Sequence, residues 1–251
     1  MIDIHAPPQP SSPREAQHVL PLGALGTYLL LGGGFCVLAT MAFAWLAKGI
    51  FADRFVAIDD GVISWLHSEW GPNSDQVMLS FTTLGNAIVL GIFVALAAFG
   101  LWRAGRWIDS FGLLLAAGGA GVLNEVLKLT FQRARPSLFP GPFHLTTYSF
   151  PSGHAMGSFA CYGMLAYVGI RLLRSRPSKI LLALAAVLLV LGVGLSRVYF
   201  GVHYPTDVLG GYIAGAIWLA FTIGVVQAAE WYAQRRGRST QQSPALDPDA
   251  E

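Results

Sequence analysis

The chain has 251 residues, of which 54% are hydrophobic and only 12% are charged. A soluble domain usually carries about 25% charged residues, so this composition excludes an ordinary soluble protein and indicates several membrane-spanning segments. The formal net charge of +2 is too small to suggest a nucleic-acid partner. Because the apolar segments follow one another without a long polar linker, we expect one all-α membrane domain.

Six segments are apolar over enough residues to cross a bilayer, which requires about 20 residues of helix. They cover roughly residues 21–47, 77–102, 107–131, 153–173, 178–197 and 207–231. The sequence therefore predicts a bundle of six transmembrane helices over residues 21–233. A polar N-terminal segment, 1–20, precedes this domain. A polar tail, 234–251, follows it, and the composition of the tail predicts disorder.

The loop between the first two spans, residues 48–76, has a pattern of its own. Its apolar residues recur at helical spacing, and Trp65 and Trp70 lie near its end. This pattern is typical of a helix that lies along the membrane surface. Such a helix could cover a site or guide a lipid into it, or it could be an aromatic anchor at the level of the headgroups. The sequence leaves both possibilities open.

The distribution of Lys and Arg indicates how the domain is oriented. With six spans, both termini lie on the same side as the loop between the second and third spans and the loop between the fourth and fifth. That side carries ten Lys and Arg residues, and the other side carries six. The positive-inside rule then places both termini in the cytoplasm and the loop 48–76 on the outer face.

Three polar motifs interrupt the apolar pattern. They are Lys128-x6-Arg135-Pro136, then Pro151-Ser152-Gly153-His154, then Ser196-Arg197-x5-His203-x3-Asp207. They lie at the end of the third span, the start of the fourth, the end of the fifth and the start of the sixth. Because successive spans alternate in direction, we expect all three motifs at one depth on the outer face of the membrane.

Each motif alone has an ordinary structural explanation. Lys128 is placed like a lysine that extends its side chain from a helix end towards water. The second motif resembles a capped helix start, and His203 with Asp207 resembles a structural pair. Arg133 competes with Arg135 for the role of the cation in the first motif, but no proline follows Arg133. The placement of all three motifs on one face makes these separate explanations insufficient.

The residue types predict a site that acts on phosphate. Ser152 suits a helix N-cap, and Gly153 lets a ligand approach the backbone, where free N–H groups favour an anion. The i, i+4 spacing brings Asp207 back to His203, so that the carboxylate can accept the Nδ1 proton and leave Nε2 as a nucleophile. Phosphoryl transfer depends mainly on placement and on neutralisation of charge, which cationic side chains can provide.

The ordered set of motifs resembles the signature of the type-2 phosphatidic acid phosphatase superfamily. In this sequence the three parts read KLTFQRARP (128–136), PSGH (151–154) and SRVYFGVHYPTD (196–207), and all match without a departure. The resemblance implies an integral-membrane phosphatase that uses no metal and no other cofactor. It implies that His203 forms a phosphohistidine while Asp207 orients it, and that His154 serves as acid and then as base. The phosphate-binding residues that it implies are Lys128, Arg135, Ser152, Gly153 and Arg197.

The substrate that the resemblance implies is a lipid phosphate or diphosphate held in the bilayer. Candidates are undecaprenyl diphosphate, phosphatidylglycerophosphate, phosphatidic acid and lipid A phosphate, with a slight preference for undecaprenyl diphosphate or a broad range. The expected location is the inner (plasma) membrane of a bacterium, with the site on the outer face. A lipid phosphotransferase with the same site is an alternative, and a transporter or scaffold is a third. The sequence does not indicate an oligomeric state.

Overall fold

The computed structural model describes residues 22–69, 72–139 and 146–241, and within these ranges it contains eight helices and no strand. The helices are α1 (Leu22–Phe51), α2 (Val56–Glu69), α3 (Pro72–Leu84), α4 (Ala87–Arg103), α5 (Trp107–Phe131), α6 (Gly153–Leu172), α7 (Arg176–Tyr199) and α8 (Pro205–Gln241). The predicted all-α fold is therefore confirmed. The predicted polar segment 1–20 lies outside the described residues.

The apolar segments found in the sequence correspond closely to the long helices. Five helices, α1 and α5 to α8, are long and apolar enough to cross a membrane. The large apolar side chains on their outer surfaces are exposed, among them Leu30, Val122 and Leu181. A soluble protein would bury such a surface, whereas lipid tails accept it. The chain is thus an integral membrane protein.

The predicted second span, 77–102, is not one straight helix. It is formed by α3 and α4, which meet at a bend of 53° and are long and apolar enough to cross a membrane only as a pair. The bend lies at Gly85 and Asn86, and the Asn86 side chain accepts a hydrogen bond from the Ile88 amide at 2.9 Å. Asn is a strong helix initiator because its side chain satisfies a first-turn N–H group, so the chain starts a new helix here.

Helix α8 packs against α1, α5 and α6, and its glycines allow a close approach to α6. A Cβ on Gly211 would lie 2.7 Å from the Ser152 carbonyl oxygen, and a Cβ on Gly215 would lie 2.9 Å from the Met156 carbonyl oxygen. Small residues four apart are a common way to bring membrane helices into backbone contact. As a result, the N-terminal ends of α6 and α8 lie directly beside each other.

The far end of α8 extends into the segment that the sequence predicted as a tail. The helix continues to Gln241, beyond Gln234, and only residues 242–251 of the tail lie outside the described residues. Arg235 stacks over the Trp231 ring at 4.2 Å, and Arg236 lies 5.8 Å from the Tyr232 ring. These i, i+4 contacts favour helix where composition alone predicted disorder.

The surface-helix pattern found in loop 48–76 forms α2, a helix separate from α1 and α3. One face of α2 is buried and carries Asp59, Ile63 and Leu66, whereas Ile58 and Trp65 on other faces are exposed. The buried face packs against α7 and α8. Helix α2 therefore lies across the end of the bundle at which the three polar motifs meet.

Candidate active site

The three motifs come together at one end of the bundle and are joined by backbone contacts. The Ser152 amide donates to the Asp207 carbonyl oxygen at 3.0 Å, which connects the start of α6 to the start of α8. The His203 amide donates to the Arg197 carbonyl oxygen at 3.3 Å. The Asn124 side chain on α5 donates to the Pro151 carbonyl oxygen at 3.3 Å. The ends of four helices thus form one site, as the alternation of the spans predicted.

His203 lies in the turn between α7 and α8 and is almost completely buried. A guanidinium nitrogen of Arg135 lies 3.2 Å from its Nε2, and Asp207 Oδ2 lies 3.5 Å from its Nδ1. Because arginine can only donate hydrogen bonds, Nε2 must accept and must carry the lone pair. The proton of the neutral ring then lies on Nδ1, on the side of Asp207.

Burial is also the main cause that lowers the pKa of His203 to about 4, although the neighbouring Asp207 carboxylate acts in the opposite direction. The positive charges of Arg135 and Arg197 add to the effect of burial. The imidazole is therefore neutral near pH 7. A neutral imidazole that carries its lone pair on Nε2 has the protonation state that a nucleophile needs.

Both oxygens of the Asp207 carboxylate are held in place. Oδ2 accepts a hydrogen bond from the Tyr204 amide at 2.9 Å, and Oδ1 accepts one from Arg133 at 2.6 Å. The carboxylate is completely buried. Its distance to His203 is slightly longer than a hydrogen bond, and such contacts often shorten when a substrate binds.

Arg135 and Arg133 have different surroundings. All five N–H groups of Arg135 have partners in the described part of the chain. These are the Thr147 carbonyl and hydroxyl oxygens, the Tyr148 and Val202 carbonyl oxygens and His203 Nε2. Arg133 instead turns away from His203 and bridges Asp207 and Asp59. Arg135 is thus the arginine of this loop that contacts the candidate nucleophile.

Two further cations and the second histidine complete the site. Lys128 and Arg197 are both buried, and Arg197 donates a hydrogen bond to the Thr82 hydroxyl of α3. The charges of Arg197, Lys128 and Arg135 all act on the His154 ring. That ring lies beside the bend between α3 and α4, because a Cβ on Gly85 would be 3.2 Å from the ring. Several positive charges therefore surround His154.

Ser152 and Gly153 form the N-terminal end of α6. Ser152 occupies the N-cap position as predicted, but its hydroxyl makes no capping hydrogen bond and has no partner among the described residues. A Cβ on Gly153 would lie 2.8 Å from Asn124 Oδ1, so a larger residue here would displace the Asn124 side chain. A helix N-terminus and a buried hydroxyl group with no partner together favour an anion between the cations.

Sequence reasoning missed three residues that support this site. Asp59 is buried against Arg133, Thr82 contacts Arg197, and Gly211 allows the close approach of α6 and α8. Asp59 had a detectable signal, because it lies on the same helix face as the apolar residues Ile63 and Leu66. A carboxylate on the apolar face of a helix usually has a buried cationic partner.

The fold is a helical bundle of an integral membrane protein. One end of the bundle holds buried cations, a neutral histidine and a carboxylate beside that histidine, and this arrangement suits an anionic substrate. Residues 109–231 match the sequence profile of the PAP2 superfamily. The chain belongs to this superfamily, because a relative also aligns over most of its own length. That relative is phosphatidylglycerophosphatase B from Bacillus subtilis, which is 34% identical over 70% of this chain and 86% of the relative.

Two other comparisons agree with this assignment. An undecaprenyl-diphosphatase from Sulfolobus acidocaldarius is 38% identical over 107 residues, which are 40% of this chain and 46% of that protein. The crystal structure of the transmembrane PAP2 type phosphatidylglycerolphosphate phosphatase from Bacillus subtilis superimposes with a TM-score of 0.71 and 30% identity. The superposition covers 77% of this chain and 96% of that structure. The relatives are thus phosphatases of different membrane lipids.

Proposed function

We propose that the protein hydrolyses a lipid phosphate or diphosphate of the membrane through a phosphohistidine on His203. The observation that carries this proposal is the environment of His203, whose Nε2 lone pair faces the guanidinium group of Arg135 while Nδ1 faces Asp207. A nucleophile oriented by a carboxylate and directed towards cations is suited to attack the phosphorus of a bound phosphate.

In the first step, His203 Nε2 attacks phosphorus and the bond between phosphorus and the lipid oxygen breaks. His154 donates a proton to the leaving lipid oxygen, and Asp207 stabilises the positive charge that develops on the His203 ring. Arg135 loses its hydrogen bond to Nε2 when the P–N bond forms. The released N–H group can then bind a phosphate oxygen.

In the second step, water attacks phosphorus and the P–N bond breaks. His154, now neutral, takes a proton from this water, and His203 returns to its starting state. The products are inorganic phosphate and a lipid with one phosphate group fewer. The same residue acts first as acid and then as base, which returns the enzyme to its initial protonation state after each turnover.

We infer that the reaction does not depend on a metal ion. Lys128, Arg135 and Arg197 provide three positive charges around the phosphate position, and Ser152 and Gly153 add a hydroxyl group and backbone N–H groups at a helix N-terminus. Enzymes that transfer phosphoryl groups use metal ions or cationic side chains to neutralise the equatorial oxygens. Here the side chains can serve that purpose.

Among the candidate lipids, we propose phosphatidylglycerophosphate as the first to be tested. The support is the likeness to phosphatidylglycerophosphatase B, which extends over 86% of that relative. Undecaprenyl diphosphate, phosphatidic acid and lipid A phosphate are the competing substrates. A phosphate-release assay on purified protein with these four lipids at equal surface fraction would distinguish them. Equal rates on all four would contradict a preference and indicate a broad range.

A lipid phosphotransferase would use the same site with an acceptor lipid in place of water. Release of inorganic phosphate from purified protein without an acceptor would exclude this alternative. We further propose that the site lies on the outer, periplasmic or extracellular, face, since the count of Lys and Arg places both termini in the cytoplasm. A transporter or scaffold without enzymatic activity would release no phosphate in the same assay.

The phosphohistidine is tested with two single variants. His203→Ala should be inactive and should never carry labelled phosphate. His154→Ala should lose most activity on a natural lipid, because general acid catalysis contributes roughly 10² to 10⁴ in rate. It should retain more of the first step on p-nitrophenyl phosphate, whose leaving group needs little protonation, and should accumulate acid-labile phosphoenzyme. Labelling of His203→Ala but not of His154→Ala would reverse the two roles.

A further inference from the structure

We propose that Asp59 is a positioning residue that binds Arg133 and thereby keeps the Asp207 carboxylate available to His203, so that helix α2 is part of the catalytic apparatus. This inference rests on the proposed role of His203 as nucleophile. It gives a role to Asp59, which lies on a helix outside the three motifs, and to Arg133, a second arginine within the first motif.

The contacts form one connected network. Arg133 donates to Asp207 Oδ1 at 2.6 Å and to Asp59 Oδ2 at 2.9 Å. Asp59 also accepts hydrogen bonds from the Thr206 amide at 3.1 Å and the Thr206 hydroxyl at 2.6 Å. Both carboxylates are completely buried, and the Arg133 side chain is 13% exposed. The Arg133 guanidinium group also lies 4.1 Å above the Tyr204 ring.

Such a network is expensive to bury, which argues that it serves a purpose beyond stability. Desolvation of several charges is offset only when the geometry is complete, and apolar residues of similar volume often stabilise a protein equally well. Here every partner converges on the two residues beside the candidate nucleophile, Thr206 and Asp207. The charges are thus placed where they affect His203 rather than along the apolar length of the bundle.

The charge balance explains why two carboxylates are needed. If Arg133 faced Asp207 alone, the guanidinium group could bind both oxygens of Asp207 in a bidentate pair, which is its preferred geometry. Oδ2 would then be drawn away from His203 Nδ1. Asp59 occupies the second side of the guanidinium group, so that Arg133 binds only Oδ1 and leaves Oδ2 facing the histidine.

The packing of α2 keeps Asp59 in place. Ile63 and Leu66 of α2 pack in one apolar cluster with Ala155, Val198 and Val208. These three partners directly follow His154, Arg197 and Asp207 in the sequence. Helix α2 therefore contacts, through neighbouring residues, three of the elements that carry the site. A shift of α2 would move Asp59 relative to Asp207.

The central test is the isosteric variant Asp59→Asn. We expect kcat to fall about 10- to 100-fold with KM nearly unchanged, by analogy with the loss seen when a residue that orients a metal ligand is removed. Asp60→Asn is the matched control, because it removes a carboxylate one position away that is not part of the network. It should keep kcat within about twofold of the wild-type value, since its side chain is only partly buried.

A double variant distinguishes positioning from a general loss of structure. In Asp59→Asn with Arg133→Gln, the cation that competes for Asp207 is absent, so kcat should recover part of the loss seen in Asp59→Asn. Nitrogen NMR of labelled histidine should show the His203 Nδ1 signal shifted in Asp59→Asn, because this N–H group loses Asp207 Oδ2, and close to its wild-type position in the double variant. A structural role alone predicts that the second substitution lowers kcat further.

The outcomes separate this proposal from the proposed function. If the wild type forms phosphohistidine and Asp59→Asn matches it in kcat and in the His203 Nδ1 signal, the positioning role is wrong and the phosphatase mechanism stands. An additive loss in the double variant would also overturn the positioning role. If the wild type itself never labels on His203, the proposed function fails first, whatever the Asp59 variants do.

Discussion

Gly211→Ala tests whether the close approach of α6 and α8 sets the geometry of the site. The added Cβ would lie 2.7 Å from the Ser152 carbonyl oxygen and 3.2 Å from the Met156 amide nitrogen. Both are backbone atoms, so no flexible side chain can move aside. The two helices must separate by about 0.3 Å to avoid overlap and by about 0.7 Å to reach an ordinary contact.

This separation should reduce both stability and rate. Overpacking typically costs about 1–3 kcal/mol, whereas alanine in a helix interior is favoured over glycine by only about 1 kcal/mol. The net effect should therefore be a loss of about 0–2 kcal/mol. The rate should fall by roughly tenfold, because the Ser152 backbone moves relative to Asp207 and a misplacement of about 1 Å can cost 10²-fold.

The assay compares Gly211→Ala with Gly224→Ala on the same helix. A Cβ on Gly224 would meet nothing within 4 Å, so that variant should keep wild-type phosphate release and an unchanged or higher unfolding temperature in detergent. Gly211→Ala should have a lower kcat and a lower unfolding temperature. If both variants match the wild type, the two helices do not need this approach and the reasoning is refuted.

Three shorter predictions follow from the site and the topology. Because His203 has a pKa of about 4, protonation of this residue should lower kcat/KM only as the pH approaches about 4. A fall in kcat/KM near pH 6.5 that is traced to His203 would contradict this prediction. Activity should survive excess EDTA and vanadate should inhibit; loss in EDTA with rescue by Mg²⁺ would contradict a metal-independent reaction. A cysteine in place of Leu138 should react with an impermeant thiol reagent on intact cells, whereas a cysteine in place of Arg174 should not. The reverse pattern would mean that the site faces the cytoplasm.

The features that the sequence predicted well are those with a local signal. The third span was predicted as 107–131 and α5 is Trp107–Phe131, because an unbroken apolar run of this length has few other stable states in a membrane. The convergence of the motifs follows from the alternation of spans, which depends only on the number of spans between them. The i, i+4 relation of His203 and Asp207 is likewise local.

The features that were missed depend on side-chain directions between distant parts of the chain. Arg133 and Arg135 are two residues apart, and no local rule shows that Arg133 reaches Asp59 on α2 while Arg135 reaches His203. The bend at Gly85 was also missed, since hydropathy averages over the break between α3 and α4. The Asn86 cap that starts α4 is a local signal for the break, but a hydropathy average does not detect it.

The length of α8 makes the depth of the site depend on the thickness of the surrounding bilayer. From Pro205 to Trp231 the helix rises about 39 Å at 1.5 Å per residue, which is close to the distance between the two headgroup regions. Trp231 and Tyr232, with the arginines stacked on them, can therefore anchor the far interface while Asp207 lies near the opposite one.

In a thinner bilayer α8 must tilt or protrude, and in a thicker one the site must sink below the phosphate plane. Turnover of one and the same substrate should therefore vary with the acyl-chain length of the host lipid.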